Sequence, residues 1–329
     1  MTEINRSLAA TLKATGPALI ADPGRLKTIT EILVALITKE HSCQKDFGDD
    51  EDLSSLEGTS EYDWLAIDTA LDVVIGLSVA LGETFGELWK IFQKPIMKYA
   101  SSSDSVERST SVGVIAECIK NMRGQVTPST NILLKLLLHR MSDEDSETKS
   151  NAAYAIGVLQ EHSENTQEIL KSFPVILGKL EPLLRTDEAR CKDNAAGCVS
   201  RMILKHRANM PTPHILPALI EILPLKEDFE ENEPVYQMIV QLCEFHNPKC
   251  FPPRSSPIPV RRYILVKANA PNRLTRRPDN HLANAATPPN HRRSHGSATG
   301  RADQRRNQGE ANATCEVCGW KAAAGSGEV

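Results

Sequence analysis

A segment of about forty residues recurs in this sequence, and the recurrence limits the folds open to the chain. Each copy starts with acidic residues, continues with a basic residue and two small residues, and ends in an apolar helical pattern. The three copies are Asp104–Met122, Asp145–Ser163 and Asp187–Lys205. Repeats of this length that contain two helices are typical of HEAT and armadillo proteins. We therefore predict an all-α HEAT-repeat α-solenoid, a superhelical stack of antiparallel helix pairs.

Apolar periodicity predicts further helices around the three copies. The predicted helices are Leu26–Lys39, Asp63–Leu81, Glu83–Tyr99, Ser129–Met141, Phe173–Leu184, His214–Leu225 and Asp228–Phe245. Three of them have a proline at or just before their start, at Pro128, Pro174 and Pro213, where the missing N–H costs nothing. Stacked pairs bury the apolar face that a single helix would leave exposed. We expect four to six such pairs.

Composition divides the chain into four segments. They are an N-terminal helical repeat segment (1–45), an acidic loop (46–62), the HEAT repeats (63–247) and a basic low-complexity tail (248–329). From Phe251 onwards the chain has 13 Lys/Arg and 5 Asp/Glu, whereas the first 250 residues have 25 Lys/Arg and 37 Asp/Glu. The tail lacks apolar periodicity, so we expect it to be disordered.

The charge balance of the repeats favours basic protein partners over nucleic acid. No stretch reaches the roughly 18 uncharged apolar residues of a membrane span, so no membrane partner is expected. The sequence shows no phosphate-binding glycine motif, nucleophile elbow or His–carboxylate constellation, and we predict neither an enzyme nor a cofactor. Cys315 and Cys318 have the spacing of half a zinc site, but only His291 and His295 could complete it, and we predict no metal.

From about Asp46 to Asn247 the sequence resembles the carboxy-terminal part of a karyopherin-β nuclear transport receptor, the importin-β superfamily. Within that family it is most similar to the fungal importin subunit beta-4 group. The stretches that carry the resemblance are SEYDWLAIDTALDVVIGLSVALG, ERSTSVGVIAECI, MSDEDSETKSNAAYAIGVL, DNAAGCVSRMI and LPLKEDFEENEPV. Runs of this length are more specific than a generic HEAT pattern.

The resemblance implies a nuclear import receptor that shuttles between cytoplasm and nucleus and carries basic cargo such as ribosomal proteins and histones. It also implies contacts with nuclear pore proteins and Ran-GTP. Family members are longer, and their amino-terminal repeats hold most of the Ran-GTP contact surface, so Ran-GTP binding is expected to be weak or absent here. We expect part of a receptor, from a truncated or mis-spliced product. The alternative is a HEAT scaffold or adaptor without a transport role.

The resemblance also implies a cargo-binding site at Asn194, Glu230 and Glu231, which Asn151 extends one repeat earlier. Two carboxylates and an amide oxygen can accept the three hydrogen bonds of a lysine ammonium. Two structural alternatives remain open. The glutamates could only stabilise the first turn of a helix, and Asn194 could belong to a hydrogen-bond ladder between repeats.

A second candidate lies in the acidic loop, at Asp49, Asp50, Glu51 and Asp52. Four adjacent carboxylates could attract basic cargo over a distance and raise its association rate. The alternative is a solvated connector between helices.

Overall fold

Regular structure in residues 1–45 and 56–244, which the computed structural model describes, is helical, and these ranges contain no strand. Their α-helices are α1 Thr2–Thr15, α2 Pro23–Ile37, α3 Ser42–Lys45, α4 Leu56–Leu81, α5 Phe85–Tyr99, α6 Ser105–Met122, α7 Thr130–Arg140, α8 Ser146–His162, α9 Thr166–Arg185, α10 Ala189–His206, α11 Thr212–Ile222 and α12 Asn232–Glu244. Short 3₁₀ helices lie at Gly16–Ile20, Gly82–Thr84, Arg123–Ser129, Arg207–Asn209 and Phe229–Glu231. The predicted all-α class is confirmed.

The helices form two packed rows. The first row contains α1, α4, α6, α8, α10 and α12, and each helix packs against the next one in that order. The second row contains α2, α5, α7, α9 and α11, each packed against a helix of the first row. Along the chain the helices of the two rows alternate, so each first-row helix and the second-row helix next to it form one of the predicted helix pairs.

The three repeated segments become α6, α8 and α10 of the first row, as predicted. The acidic start of a copy has a local role, because Asp104 accepts hydrogen bonds from the backbone N–H groups of Val106 (2.8 Å) and Glu107 (3.0 Å). Asp145 caps α8 in the same way through Thr148. Such caps satisfy N–H groups that have no partner inside the helix. The third copy lacks this bond, since the N-cap residue of α10 is Glu188, whose side chain makes no capping hydrogen bond.

Small residues in the second and third copies let α8 and α10 approach closely. Ala152, Ala153, Ala195 and Ala196 are buried. A Cβ atom added at Gly157 of α8 would lie only 3.0 Å from the Cα atom of Cys198 in α10. Aliphatic side chains fill the remaining space, and one contiguous core runs from Ala9 to Leu242.

Several predicted helix bounds differ from the observed ones by a few residues, and two predicted helix starts are wrong by about two turns. The first-row helix α4 begins at Leu56 rather than Asp63, so residues 56–62 of the predicted acidic loop are helical. The second-row helix α9 begins at Thr166 rather than Phe173 and contains Pro174 and Pro182. Asn165 caps its true start by accepting a hydrogen bond from the Glu168 N–H. Residues 46–55 and the predicted tail lie outside the described residues.

The stretch Tyr62–Tyr99 is long and apolar enough to span a membrane by length and composition, although charged residues such as Asp68 and Asp72 interrupt it. Most of its apolar window is buried inside the protein. Packing of α4 against α1, α2 and α6 accounts for this composition.

Candidate functional site

Asn151 and Asn194 tie successive first-row helices together. The amide Nδ2 of Asn151 in α8 donates to the carbonyl oxygen of Ser109 in α6 at 2.9 Å. The amide Nδ2 of Asn194 in α10 donates to the Oγ of Ser150 in α8 at 2.9 Å. The two asparagines therefore form equivalent rungs of a ladder between repeats, which was the structural alternative for Asn194. The Oδ1 of Asn194 is buried and accepts no hydrogen bond.

Glu231 is buried in an ion pair with Arg201 of α10. Only 1% of the glutamate side chain and 9% of the arginine side chain are exposed. The Arg201 Nη2 donates to Oε1 of Glu231 at 3.0 Å, and Nη1 donates to Oε2. Burial raises the pKa of the Glu231 carboxyl, and the bonds to Arg201 oppose this shift. Both carboxylate oxygens already have a partner, so Glu231 differs from the free acceptor that the sequence predicted.

A buried aspartate fixes the turn that precedes this glutamate. One oxygen of Asp193 accepts the backbone N–H groups of Lys226 (2.9 Å), Glu227 (2.8 Å) and Asp228 (3.0 Å). Asp193 lies in α10, whereas these residues connect α11 to the 3₁₀ helix Phe229–Glu231. A charged acceptor strengthens each of these hydrogen bonds. The turn is therefore held against α10, and its conformation determines where Glu230 projects.

Glu230 is the accessible member of the predicted set. Its side chain is 78% exposed, and its Oε2 atom lies 3.5 Å from the Nζ atom of Lys120 in α6. This contact joins residues 110 positions apart, so the 3₁₀ helix Phe229–Glu231 contacts α6 through Glu230. A lysine ammonium therefore already lies beside Glu230 in this structure.

Tyr154 of α8 lies beneath this ion pair. Its hydroxyl donates to Oε1 of Glu117 at 3.1 Å, and the centre of its ring is 6.0 Å from the Lys120 ammonium. The Arg201 guanidinium lies 5.5 Å from the same ring centre. Aromatic faces attract cations at such distances. Burial raises the pKa of the Tyr154 hydroxyl, and the nearby Glu117 carboxylate acts in the same direction.

The charges of this cluster do not cancel. Its carboxylates are Glu117, Glu161, Glu230 and Glu231, and its cations are Lys120 and Arg201. Arg201 is shared between Glu161 and Glu231, with 3.0 Å from its Nε to the Glu161 Oε2. Lys205 adds a third cation because its Nζ donates to the Glu161 carbonyl oxygen, so four carboxylates face three cations and one excess negative charge remains in the cluster. We call the exposed part, formed by Glu117, Lys120, Tyr154 and Glu230, the acidic cluster.

The site residues predicted from the sequence do not include Asp193, Arg201, Tyr154 or Lys120. Asp193 and Arg201 stand in the same stretch as Asn194, DNAAGCVSRMI, but their partners are 30 to 35 positions away in the next repeat. The repeat spacing could have shown that these positions face the following turn. The candidate residues Asp49, Asp50, Glu51 and Asp52 lie outside the described residues, and their role stays a prediction.

Proteins with similar sequences are importins. The probable importin subunit beta-4 of Schizosaccharomyces pombe is 36% identical over 246 residues, which are 72% of this chain and 23% of that protein. Importin-4 of Homo sapiens is 31% identical over 228 residues, which are 68% of this chain and 21% of that protein. The chain thus spans less than a quarter of the length of these relatives. No family model matches the chain.

Solved structures show the same fold. Kap121p bound to the SUMO protease Ulp1p superposes with a TM-score of 0.57 and 17% identity, over 74% of this chain and 23% of that one. Kap121p bound to Ste12p gives a TM-score of 0.56 and 16% identity, over 72% and 22%. At this identity the likeness concerns the fold, and it confirms the HEAT-repeat solenoid. With the sequence identity to importins, it places this chain in the karyopherin-β (importin-β) family, as the counterpart of one segment of longer members.

Proposed function

We propose that this chain is a cargo-binding segment of a nuclear import receptor and that it binds lysine-rich segments of basic proteins such as ribosomal proteins and histones. The observation that carries the proposal is 36% identity to an importin over 246 residues. The related structures of Kap121p with Ulp1p and with Ste12p support a role in binding other proteins. Such a segment would move between cytoplasm and nucleus with its cargo.

Glu230 is the proposed contact for a cargo lysine. It is exposed, it lies in an acidic environment, and it already pairs with an ammonium group. Glu231 and Asn151 act by shaping this surface through their bonds to Arg201 and Ser109. The Oδ1 of Asn194 is buried and has no hydrogen-bond partner, and we propose it as a further acceptor. Ran-GTP and nuclear pore proteins are proposed as partners of longer receptors, and Asp49, Asp50, Glu51 and Asp52 as an attractor for basic cargo.

A binding role also suits the chemistry of the buried nucleophiles. Burial raises the pKa of the Cys198 thiol to about 12, which keeps it protonated at neutral pH. The thiol therefore acts as a small apolar group in the core. The alternative function, a HEAT scaffold without transport, predicts binding of a fixed partner rather than of lysine-rich peptides in general.

Charge reversal at Glu230 tests the proposal. We expect Glu230→Lys in the full 329-residue chain to weaken binding of a fluorescent lysine-rich peptide about tenfold, because it replaces attraction by repulsion at an exposed site. Fluorescence anisotropy measures the affinity. Glu221→Lys on α11 is the matched control, since it makes the same charge change on an exposed residue of the second row.

Equal loss of affinity in both variants would show that only net charge matters and would contradict a site at Glu230. Retention of full affinity by Glu230→Lys would do the same. The import role itself is tested separately, by nuclear accumulation of a basic reporter protein in permeabilised cells. Accumulation that does not depend on the added chain would refute that role.

A further inference from the structure

The Lys120 ammonium lies among acceptors that suit an incoming lysine. It is 3.5 Å from the Oε2 of Glu230, 3.9 Å from the Oε2 of Glu117 and 6.0 Å from the centre of the Tyr154 ring. These groups come from two first-row helices and from the turn fixed by Asp193. Two carboxylates and an aromatic face form a site for a primary ammonium, and the site is filled by the chain itself.

Lys120 is held loosely in this position. Charge-assisted N–H···O bonds are about 2.7–2.9 Å long, so neither carboxylate contact reaches that length. The Lys120 side chain is 42% exposed and that of Glu230 is 78% exposed. Ion pairs with this exposure contribute little to stability. Lys120 can therefore leave the site at little cost, and its flexible stem lets the ammonium turn outward into solvent.

Departure of Lys120 would leave the site strongly acidic. Arg201 is occupied by Glu161 and Glu231, so it cannot neutralise Glu117 and Glu230. The Tyr154 ring stays in place because its hydroxyl is bonded to Glu117 and the Arg201 guanidinium lies over its ring. The emptied site then offers two carboxylates and one ring face to a cation.

We propose that Lys120 is a built-in competitor, which occupies the site formed by Glu117, Tyr154 and Glu230 and is displaced by a lysine of a bound partner. The proposal rests on the proposed binding of lysine-rich segments and adds to it a specific site and an internal regulator of affinity. It predicts that Lys120 keeps the affinity for a partner lysine below the affinity that the empty site would have. A captured lysine can therefore also be released.

The test measures binding of a fluorescent peptide with lysines spaced by glycine and serine to the full chain. Lys120→Gln removes the competing ammonium, and we expect its affinity to be about threefold higher than that of the wild type. The matched control is Lys171→Gln, which removes an exposed lysine that pairs with Glu168 on α9 of the second row. The same peptide with acetylated lysines should bind to neither variant.

A second change identifies the site. Glu230→Gln in the Lys120→Gln background should abolish the gain in affinity, and thermal melting should show that each variant remains folded. Unchanged or weaker binding by Lys120→Gln would overturn the proposal, as would an equal gain in Lys171→Gln. A gain in Lys120→Gln supports it even if the chain fails to import a reporter, so the proposed transport role can fail independently.

Discussion

Gly197 is the residue on which the buried ion pair between Arg201 and Glu231 depends. The Glu231 carboxylate lies directly against the Cα of Gly197, and a Cβ atom there would overlap it. Gly197 has no positive φ angle, so the requirement for glycine is one of space. The glycine in DNAAGC therefore leaves the space in which the Glu231 side chain of the next repeat packs against α10.

We predict that Gly197→Ala lowers the free energy of unfolding by about 1–3 kcal/mol, the usual effect of overpacking a tight site. Urea denaturation followed by circular dichroism measures this change. Gly178→Ala on α9 is the control, because nothing lies within 4 Å of an added Cβ there. That control should gain about 0.5–1 kcal/mol, since alanine is the better helix former. A stable Gly197→Ala variant would show that Glu231 can move aside without loss.

Glu230 and Glu231 show what sequence could establish about the site. Adjacent and chemically identical, they were predicted together, and the predicted pair does contain the exposed acidic residue. Their opposite environments depend on Arg201, 30 positions away, and on the turn geometry set by Asp193. Local sequence patterns do not show which residues of neighbouring repeats contact one another. Residue type therefore indicates an acidic surface but not which of the two carboxylates is exposed.

At the scale of helices, the connection between α7 and α8 is stabilised by a buried aspartate. Asp143, with 4% of its side chain exposed, accepts hydrogen bonds from the Arg108 Nε (3.0 Å) and Nη2 (2.8 Å) and from the Arg140 Nη1 (2.7 Å). Burial favours its protonated form, but these bonds outweigh burial and hold the pKa of Asp143 below its usual value. Arg108 is the basic residue of the first repeat copy. Its bonds to Asp143 connect α6 to the segment that leads into the next helix pair.

This lowered pKa predicts an acid-sensitive stability. The folded protein keeps Asp143 ionised more readily than the unfolded chain does, so the stabilisation is complete above the unfolded pKa of about 3.9 and is lost as pH falls through the lower folded pKa. We expect Asp143→Asn to be less stable at neutral pH by about 2 kcal/mol, as for a lost charged hydrogen bond. Its urea midpoint should also change less than that of the wild type on acidification below about pH 4.

Asp187→Asn is the control, because it neutralises an exposed aspartate at the start of a repeat copy. An unaltered acid response in Asp143→Asn would contradict the prediction.

The helices themselves were predicted well where apolar periodicity was strong, as in α6, α8 and α10. The predicted bounds differ from the observed ones where a proline lies inside a helix rather than at its start and where a cap residue lies further upstream. Pro174 suggested a helix beginning at Phe173, whereas the Asn165 cap extends α9 back to Thr166. The start of α4 at Leu56 differs from the predicted start because the acidic residues around it favour a loop.

At the scale of the whole molecule, charge is unevenly distributed. The first 250 residues carry 25 Lys/Arg and 37 Asp/Glu, against 13 and 5 from Phe251 onwards. A surface with excess negative charge attracts basic partners over several ångströms, and dissolved salt screens this attraction with a Debye length of about 10 Å at 0.1 M.

We therefore predict that affinity of the full chain for a lysine-rich peptide falls about tenfold between 50 and 500 mM NaCl, as expected for exposed charges. Anisotropy titrations at several salt concentrations measure the trend. A peptide in which glutamate replaces lysine is the control and should not bind at any of them. Affinity that is independent of salt would show that apolar contacts, rather than charge, hold the peptide.

The three amide hydrogen bonds to Asp193 have a mechanical consequence. They attach to α10 the turn that precedes Glu230, one repeat earlier than the helix α12 that follows. Separation of α12 from α10 would require these hydrogen bonds to break together with the buried ion pair between Arg201 and Glu231. When the helix stack bends, we therefore expect the movement to occur mainly between other first-row helices. The acidic cluster should keep its geometry.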